Sequence, residues 1–147
     1  MLWKPGGEAT PAKDRYHDAA KRSLVKAGWT VTHDPLFLRH GKKDMFVDLG
    51  AQQLIGAEKE TRKIAIEVKS FVSNSDMDDL EKALGQFIIY HDVLRIFEPE
   101  RILYLAVSGK IAQQVFEQDV GKLMLDNQRL RLMVFDEVQE EILEWIP

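Results

Sequence analysis

The amino-acid sequence predicts an α/β domain in which helices flank one mixed β-sheet. Apolar residues recur at three-to-four spacing within residues 11–27 and again in a longer segment that ends near Ile96, which predicts two helices. Strand-type runs lie between these helices, and a buried-type strand at 101–107 follows the second. The order α-β-β-β-α-β, with later additions, is typical of a domain built on a single sheet.

The composition fits one globular domain. Of the 147 residues, 45% are hydrophobic and 30% are charged, which is ordinary for a chain that forms its own core. No apolar run approaches the roughly 20 residues of a membrane-spanning helix, and the N-terminus lacks the apolar stretch of a signal peptide. The absence of cysteine excludes disulfides and zinc–thiolate sites. We therefore expect a cytoplasmic protein that has no membrane partner.

The charge is distributed unevenly along the chain. The net charge of −4 argues weakly against indiscriminate binding to nucleic acid. Residues 1–70 carry 13 Lys and Arg against 9 Asp and Glu, whereas residues 71–147 carry 7 against 15. Two interpretations stay open, an unevenly charged solvated surface and a basic face that meets phosphate groups.

Turn signals predict the ends of the domain. Residues 1–10 contain a proline and a Gly-Gly pair without periodicity, which predicts a flexible N-terminal tail before a single domain over 11–147. A Thr-Pro start signal and a glycine stop signal bound the helix predicted over 11–27. At the other end, residues 137–147 are predicted to form a final helical turn.

The strands are predicted from β-type runs that turn signals separate. The middle of the chain is expected to form a β-meander. One or two short helices are expected within residues 110–127. The predicted strands cover residues 29–32, 36–38, 45–49 with a continuation over 52–58, 63–71, 101–107 and 130–135.

The most informative strand contains Glu67-Val68-Lys69. Side chains alternate along a strand, so Glu67 and Lys69 lie on one face and Val68 on the other. The preceding run, Ile64-Ala65-Ile66, is apolar, and two charges in such a strand are costly to bury without a partner, a metal or a function. Taken alone, the two residues are better explained as a structural ion pair at a sheet edge.

A second carboxylate favours a metal site. Asp48 ends an apolar run, and a hairpin between its strand and the strand of Glu67 would bring the two residues together. Two such carboxylates repel each other unless a cation lies between them, and Mg²⁺ or Mn²⁺ binds oxygen ligands of this kind. Lys69 would then orient or deprotonate a water molecule, or offset charge on a phosphate.

Gln86 and Tyr90 lie on one face of the long predicted helix, because they are four residues apart. Boundary packing is the plain explanation of this pair. Contact with a nucleic-acid backbone, or with a water molecule at the metal site, is the functional one.

An aspartate, an E-x-K motif about twenty residues later and a helix with Q-x-x-x-Y together resemble the PD-(D/E)XK nuclease superfamily. Val47 replaces the proline of that motif. The blocks FVDLGAQQLIGAEK, KIAIEVKSF and LGQFIIY are similar to the XisH family of fdxN element excision controlling factors, and the similarity spans roughly residues 11–136. The resemblance implies a restriction-endonuclease-like αβββαβ core and a role in site-specific DNA excision or rearrangement.

The resemblance also implies partners and residue roles. The partners would be DNA and a companion protein of the XisI type, and we also expect a homodimer. Matched to the motifs, the ligands of Mg²⁺ or Mn²⁺ would be Asp48, Glu67 and the carbonyl of Val68. The catalytic residues would be Asp48, Glu67, Lys69, Gln86 and Tyr90.

Two functions stay open at this point. One is Mg²⁺-dependent hydrolysis of DNA. The other is a non-catalytic excision-controlling factor that keeps the fold and binds a recombinase, an XisI-like partner or DNA. A structural ion-pair cluster is a third explanation of the charged residues. Further candidates for the site are Glu58, Asp14, His17 and Asp18.

Overall fold

The computed structural model describes residues 13–147, so the predicted tail over residues 1–10 and the Thr-Pro helix start lie outside the described part. This part contains four α-helices, one π-helical segment and eight strands. In chain order they are α1 (His17–Lys26), β1 (Thr30–His33), β2 (Leu36–His40), β3 (Lys43–Val47), β4 (Leu49–Ile55), β5 (Glu60–Val68), α2 (Asp76–Phe97), β6 (Arg101–Ser108), α3 (Gly109–Ile111), the π-helical segment (Ala112–Phe116), α4 (Asp119–Asp126), β7 (Leu132–Asp136) and β8 (Glu141–Ile146).

Six strands form the central sheet, in the order β1-β4-β5-β6-β7-β8. The strands β5, β6 and β7 are parallel to one another, whereas β1, β4 and β8 run antiparallel to their neighbours. Parallel neighbours need a crossover connection. The helix α2 provides it between β5 and β6, and the short helices provide it between β6 and β7. The predicted α/β class, with one mixed sheet flanked by helices, is confirmed.

Helices cover both faces of the central sheet, which explains the apolar runs of its inner strands. On one face, Leu24 of α1 packs in a core with Ile66 of β5. On the other face, Phe87 of α2 packs in a core with Leu103 of β6. Because side chains alternate along a strand, Glu67 points to the face that α2 covers.

The predicted β-meander is wrong in one respect. The strands β2 and β3 pair with each other in a separate two-stranded sheet, and β1 pairs with β4. Val47 is buried in the core under α2, whereas Leu49 is buried in the core under α1. The run predicted as one strand over 45–49 therefore belongs to two strands, and Asp48 occupies the step between them.

The C-terminal segment is a strand, so the helical turn predicted over residues 137–147 is wrong. The strand β8 pairs antiparallel with β7 and supplies partners for backbone groups that would otherwise lie at an open sheet edge. The ring centroid of Trp145 lies 4.8 Å from that of Tyr104 and 5.9 Å from that of Trp29. These aromatic contacts hold β8 against the rest of the sheet.

Other boundaries shift by a few residues. The helix α1 begins at His17, and residues 13–16 before it are not helical. The strand β4 ends at Ile55 and β5 ends at Val68, both three residues before the predicted ends. The short helices predicted within 110–127 are present. In the described part of the chain, no helix is long and apolar enough to cross a membrane.

Gly121 tests the packing of α4 against the π-helical segment. A Cβ at Gly121 would lie 1.9 Å from the carbonyl oxygen of Val115, so either α4 or this backbone must move. We expect Gly121→Ala to lower the free energy of unfolding by about 2–3 kcal/mol, as overpacking does, although Gly→Ala usually stabilises a helix. Chemical denaturation measures this. The control Lys122→Ala changes an exposed side chain of the same helix and should stay within about 0.5 kcal/mol of the wild type. A Gly121→Ala variant as stable as the wild type would contradict this packing.

Candidate functional site

Asp48 and Glu67 lie side by side at the step between β3 and β4. The β4–β5 ladder pairs Leu49 with Ile66, so Asp48 comes opposite Glu67. The Asp48 N–H donates a hydrogen bond to Glu67 Oε1 (3.1 Å), and the Val68 N–H donates one to Asp48 Oδ2 (2.8 Å). Each carboxylate is therefore fixed by the backbone of the other residue's strand.

The local sequence explains why an acidic residue occupies this step. The ladder between β4 and β5 stops at Leu49, so the Val68 N–H has no carbonyl opposite it. A buried N–H without an acceptor is costly, and the short side chain of Asp48 supplies the acceptor. The N–H and C=O of a strand residue point to the same side, so the Val68 carbonyl faces Asp48 as well.

The two carboxyl groups retain a proton at neutral pH. Burial, together with the negative charge of Asp48, raises the pKa of Glu67 from its ordinary 4.5 to about 8. Burial also raises the pKa of Asp48, and the hydrogen bond from Val68 only partly opposes it. A side-chain hydrogen bond between the two groups also raises the pKa of Glu67 and lowers that of Asp48, so the proton resides on Glu67 and is donated to Asp48.

Lys69 is the cation beside this pair. Its Nζ lies 3.9 Å from Glu67 Oε2, and 29% of its side chain is exposed compared with 10% for Glu67. A single ammonium group at that distance does not neutralise two carboxylates. The raised pKa of Glu67 shows the same imbalance, because Lys69 lowers that pKa by less than burial and Asp48 raise it.

The helix α2 closes the site from the side. Burial, and then the charges of Glu67 and Asp48, raise the pKa of Tyr90 to about 12, so its hydroxyl stays protonated within the electrostatic field of both carboxylates. Gln86, one turn earlier, has a buried side-chain oxygen that accepts no hydrogen bond from the residues described here (13–147). An unpartnered buried amide oxygen is costly, and a water molecule or a ligand would satisfy it.

The further candidates Asp14, Asp18 and Glu58 do not contact the pair of carboxylates directly. The Asp14 carboxylate accepts hydrogen bonds from the N–H groups of Ser70 and Tyr16, each at 2.9 Å, so its role is to attach this segment to the end of β5. Asp18 is exposed and pairs with the exposed Lys13 at 3.7 Å, away from the pair of carboxylates. Glu58 lies in the exposed turn between β4 and β5, at the far end of the strand from Asp48.

His17 is the candidate that comes nearest. Its Nε2 lies 2.7 Å from Asp34 Oδ1, and a positive charge on His17 would lower the pKa of Asp48. Its Nδ1 is buried without a hydrogen-bond partner in the described part of the chain. Burial raises the pKa of Asp34, but hydrogen bonds from Lys21 and His17 outweigh it and hold that pKa below its ordinary value. Asp34 was not predicted as a site residue, because an aspartate before a proline is typical of a turn.

The donor set fits a hard divalent cation. Asp48, Glu67 and the Val68 carbonyl offer oxygen atoms only. Within residues 13–147 no group of three or more His, Cys, Asp or Glu side chains could enclose a metal. Mg²⁺ suits this arrangement, since it binds through one or two carboxylates and keeps several water molecules. The unpartnered oxygen of Gln86 could accept a hydrogen bond from a water molecule.

Comparisons with known proteins place the chain in a family. The XisH protein family model matches residues 10–143. The crystal structure of an XisH family protein from Nostoc punctiforme PCC 73102 is 37% identical, with a TM-score of 0.82, and the match covers 91% of this chain and 100% of that one. The crystal structure of an fdxN element excision controlling factor protein from Anabaena variabilis is 36% identical, with a TM-score of 0.79, over 90% of this chain and 98% of that one. None of the curated proteins matches. The chain belongs to the XisH family.

Proposed function

We propose that this protein is a Mg²⁺-dependent nuclease of the PD-(D/E)XK type that hydrolyses phosphodiester bonds in DNA during site-specific excision. The excision context comes from the similar protein of Anabaena variabilis, which is an fdxN element excision controlling factor. The pair of carboxylates is the reason to propose a hydrolytic activity. The single observation that carries the proposal is the contact between Asp48 and Glu67, which holds excess negative charge in a buried place.

A cation that replaces the proton on Glu67 removes the electrostatic conflict between the two carboxylates. At neutral pH the pair is protonated once, because the pKa of Glu67 is about 8. A divalent ion supplies two positive charges and accepts both carboxylates and the Val68 carbonyl as ligands. Binding therefore releases the proton and turns an unfavourable contact into a favourable one.

The chain's own residues supply the remaining functions. A bound Mg²⁺ would polarise the phosphate and lower the pKa of a water molecule. Lys69 lies on the same face as Glu67 and is positioned to stabilise the charge that develops on the phosphate. Tyr90 keeps its proton up to about pH 12 and so donates a hydrogen bond rather than acting as a base. Gln86 orients water through its unpartnered oxygen.

The element order supports the superfamily placement. With the β2–β3 hairpin set aside as an insertion, α1, β1, β4, β5, α2 and β6 follow the order αβββαβ. Asp48 precedes the second strand of that core, and Glu67 and Lys69 lie at the end of the third. Gln86 and Tyr90 lie on the helix that follows.

A non-catalytic excision-controlling factor is the second candidate. Residues 71–147 carry 15 acidic against 7 basic residues, a balance that suits protein partners better than phosphates. In that case the protein would act by binding a recombinase, an XisI-like companion or DNA. Cleavage assays separate the two candidates, because both keep the fold but only the nuclease turns over.

Metal binding should release a proton. The metal-free protein is titrated with Mg²⁺ or Mn²⁺ near pH 7 in a calorimeter, in buffers of different ionisation enthalpy. The dependence of the heat on the buffer should show about 0.5–1 proton released per ion. Asp48→Asn keeps an oxygen for the Val68 N–H but should abolish the metal-dependent heat. Glu58→Gln, a carboxylate removed at the far end of the hairpin, should bind as the wild type does. Equal binding by Asp48→Asn and the wild type would contradict the metal site.

DNA hydrolysis should depend on Lys69 but not on Lys63. Lys63 lies in β5 and Lys69 directly follows that strand, and the alternation of side chains puts both on the same face. Lys63 is six residues upstream, about 20 Å along the chain. With supercoiled plasmid or branched DNA and Mg²⁺ or Mn²⁺, Lys69→Met and Glu67→Gln should each lower the cleavage rate on the order of 100-fold. Lys63→Met should leave the rate within a factor of about two. Metal binding without cleavage by the wild type would refute the catalytic role and favour the non-catalytic factor.

The stability of the metal-free protein should fall as pH rises. The folded-state pKa of Glu67, about 8, exceeds its ordinary 4.5, so the folded protein holds a proton that the unfolded chain releases in this interval. This contribution is present below about pH 4.5 and is lost as pH rises through about 8. Glu67→Gln should remove this pH dependence and raise the free energy of unfolding by about 1–2 kcal/mol near pH 9. A structural ion pair of Glu67 and Lys69 predicts the opposite, a destabilised Glu67→Gln variant.

A further inference from the structure

The helix α2 presents a stripe of exposed apolar residues on its outward side, away from the sheet. Ile88, Ile89 and Ile96 are 53%, 54% and 61% exposed. Successive helical residues are rotated by 100°, so Ile88 lies nearly opposite Gln86 and Tyr90, and Ile96 and Ile89 lie about 80° and about 100° around the helix from Ile88. Single exposed apolar residues are common, but several large ones together on one helix indicate an interface.

Gly85 lies on the same stripe and faces open space. Apart from the adjoining backbone of α2 itself, a Cβ at this position would have no atom of the chain within 4 Å, so no contact with the rest of the protein requires a glycine there. Glycine is among the least favourable residues in the middle of a helix. A glycine on an exposed helix face does allow another backbone to approach closely. The exposed Gly85 therefore points to a partner that packs tightly beside Ile88.

Two charged residues of the stripe are arranged symmetrically about Ile88, and a third, the exposed Asp92, lies 3.4 Å from His91 Nδ1 of its own helix. Glu81 lies seven residues before Ile88 and Arg95 seven residues after it, and a spacing of seven keeps these three residues on one side of the helix. The side chains of Glu81 and Arg95 are both exposed. Within the part of the chain that the structure describes, neither of them makes a hydrogen bond or an ion pair. A two-fold axis at Ile88 would place Glu81 of one copy against Arg95 of the other, and the reverse contact would form at the same time.

We propose that this stripe binds a second copy of the chain, with the two α2 helices antiparallel and Ile88 at the two-fold axis. The surface is complementary to itself in charge, and Gly85 permits the close approach that such packing needs. Antiparallel helix dipoles add to the attraction. Gln86 and Tyr90 lie on the opposite side of α2 from Ile88, so the dimer leaves both candidate metal sites uncovered. The proposal does not depend on the proposed nuclease activity.

Sedimentation of the full chain at micromolar concentration tests the dimer and its register. The wild type should have twice the 16.9 kDa mass of the chain. Ile88→Glu should give monomers, whereas Leu54→Glu, which changes an exposed leucine on β4, should not. Glu81→Arg and Arg95→Glu should each weaken the dimer by roughly tenfold, and the double variant should recover most of that loss. Circular dichroism establishes that each variant is folded.

Cross-linking tests the same geometry independently, because the chain has no cysteine of its own. Under mild oxidation Ile88→Cys should form a disulfide-linked dimer, and Leu54→Cys should not. A mixture of Glu81→Cys and Arg95→Cys chains should cross-link to each other more than either does to itself. A monomeric wild type, or a failure of Ile88→Cys to cross-link, would overturn the proposal and leave the stripe to a partner of another kind. Failure of the charge-swapped double variant to recover would overturn the register.

Discussion

The reciprocal hydrogen bonds between Asp48 and the end of β5 determine the arrangement of the site. They extend the central sheet one residue beyond the start of β4 at Leu49, because the Asp48 carboxylate takes the place of a ladder carbonyl for the Val68 N–H. The same bonds hold Asp48 against Glu67 in a place that water reaches poorly. The fold therefore creates an electrostatic conflict, and a proton or a cation must relieve it.

The helix α2 connects the features that surround this conflict. Its inner side packs Phe87 and Leu94 against the sheet, which fixes the helix across the parallel strands. One flank carries Tyr90 to the carboxylates. The outward side carries the exposed stripe around Ile88. One helix thus packs on the sheet, borders the candidate site and carries the exposed stripe. This explains why its apolar residues occupy almost every direction rather than a single face.

The sequence allows the candidate site residues to be predicted, but not the path of the backbone that brings them together. Glu67 and Lys69 are conspicuous because they interrupt an apolar strand, and Asp48 because it ends another. The step at Asp48 could not be predicted, since Val47 and Leu49 are equally apolar and only the tertiary structure sends them to different cores. The strand β8 differs from the predicted helical turn for a similar reason. Its conformation is set by pairing with the edge of β7, and local periodicity does not show that pairing.

Anomalous diffraction from a crystal soaked in Mn²⁺ would test the metal site most directly. If the two carboxylates exchange their proton for a cation, an anomalous peak should lie between Asp48 and Glu67, about 2.1 Å from their oxygens and from the Val68 carbonyl. Lys69 should then move away from Glu67, because the cation replaces it as the nearest positive charge. The contrary result is no peak at this position, with Lys69 in direct contact with Glu67, as in a structural ion pair.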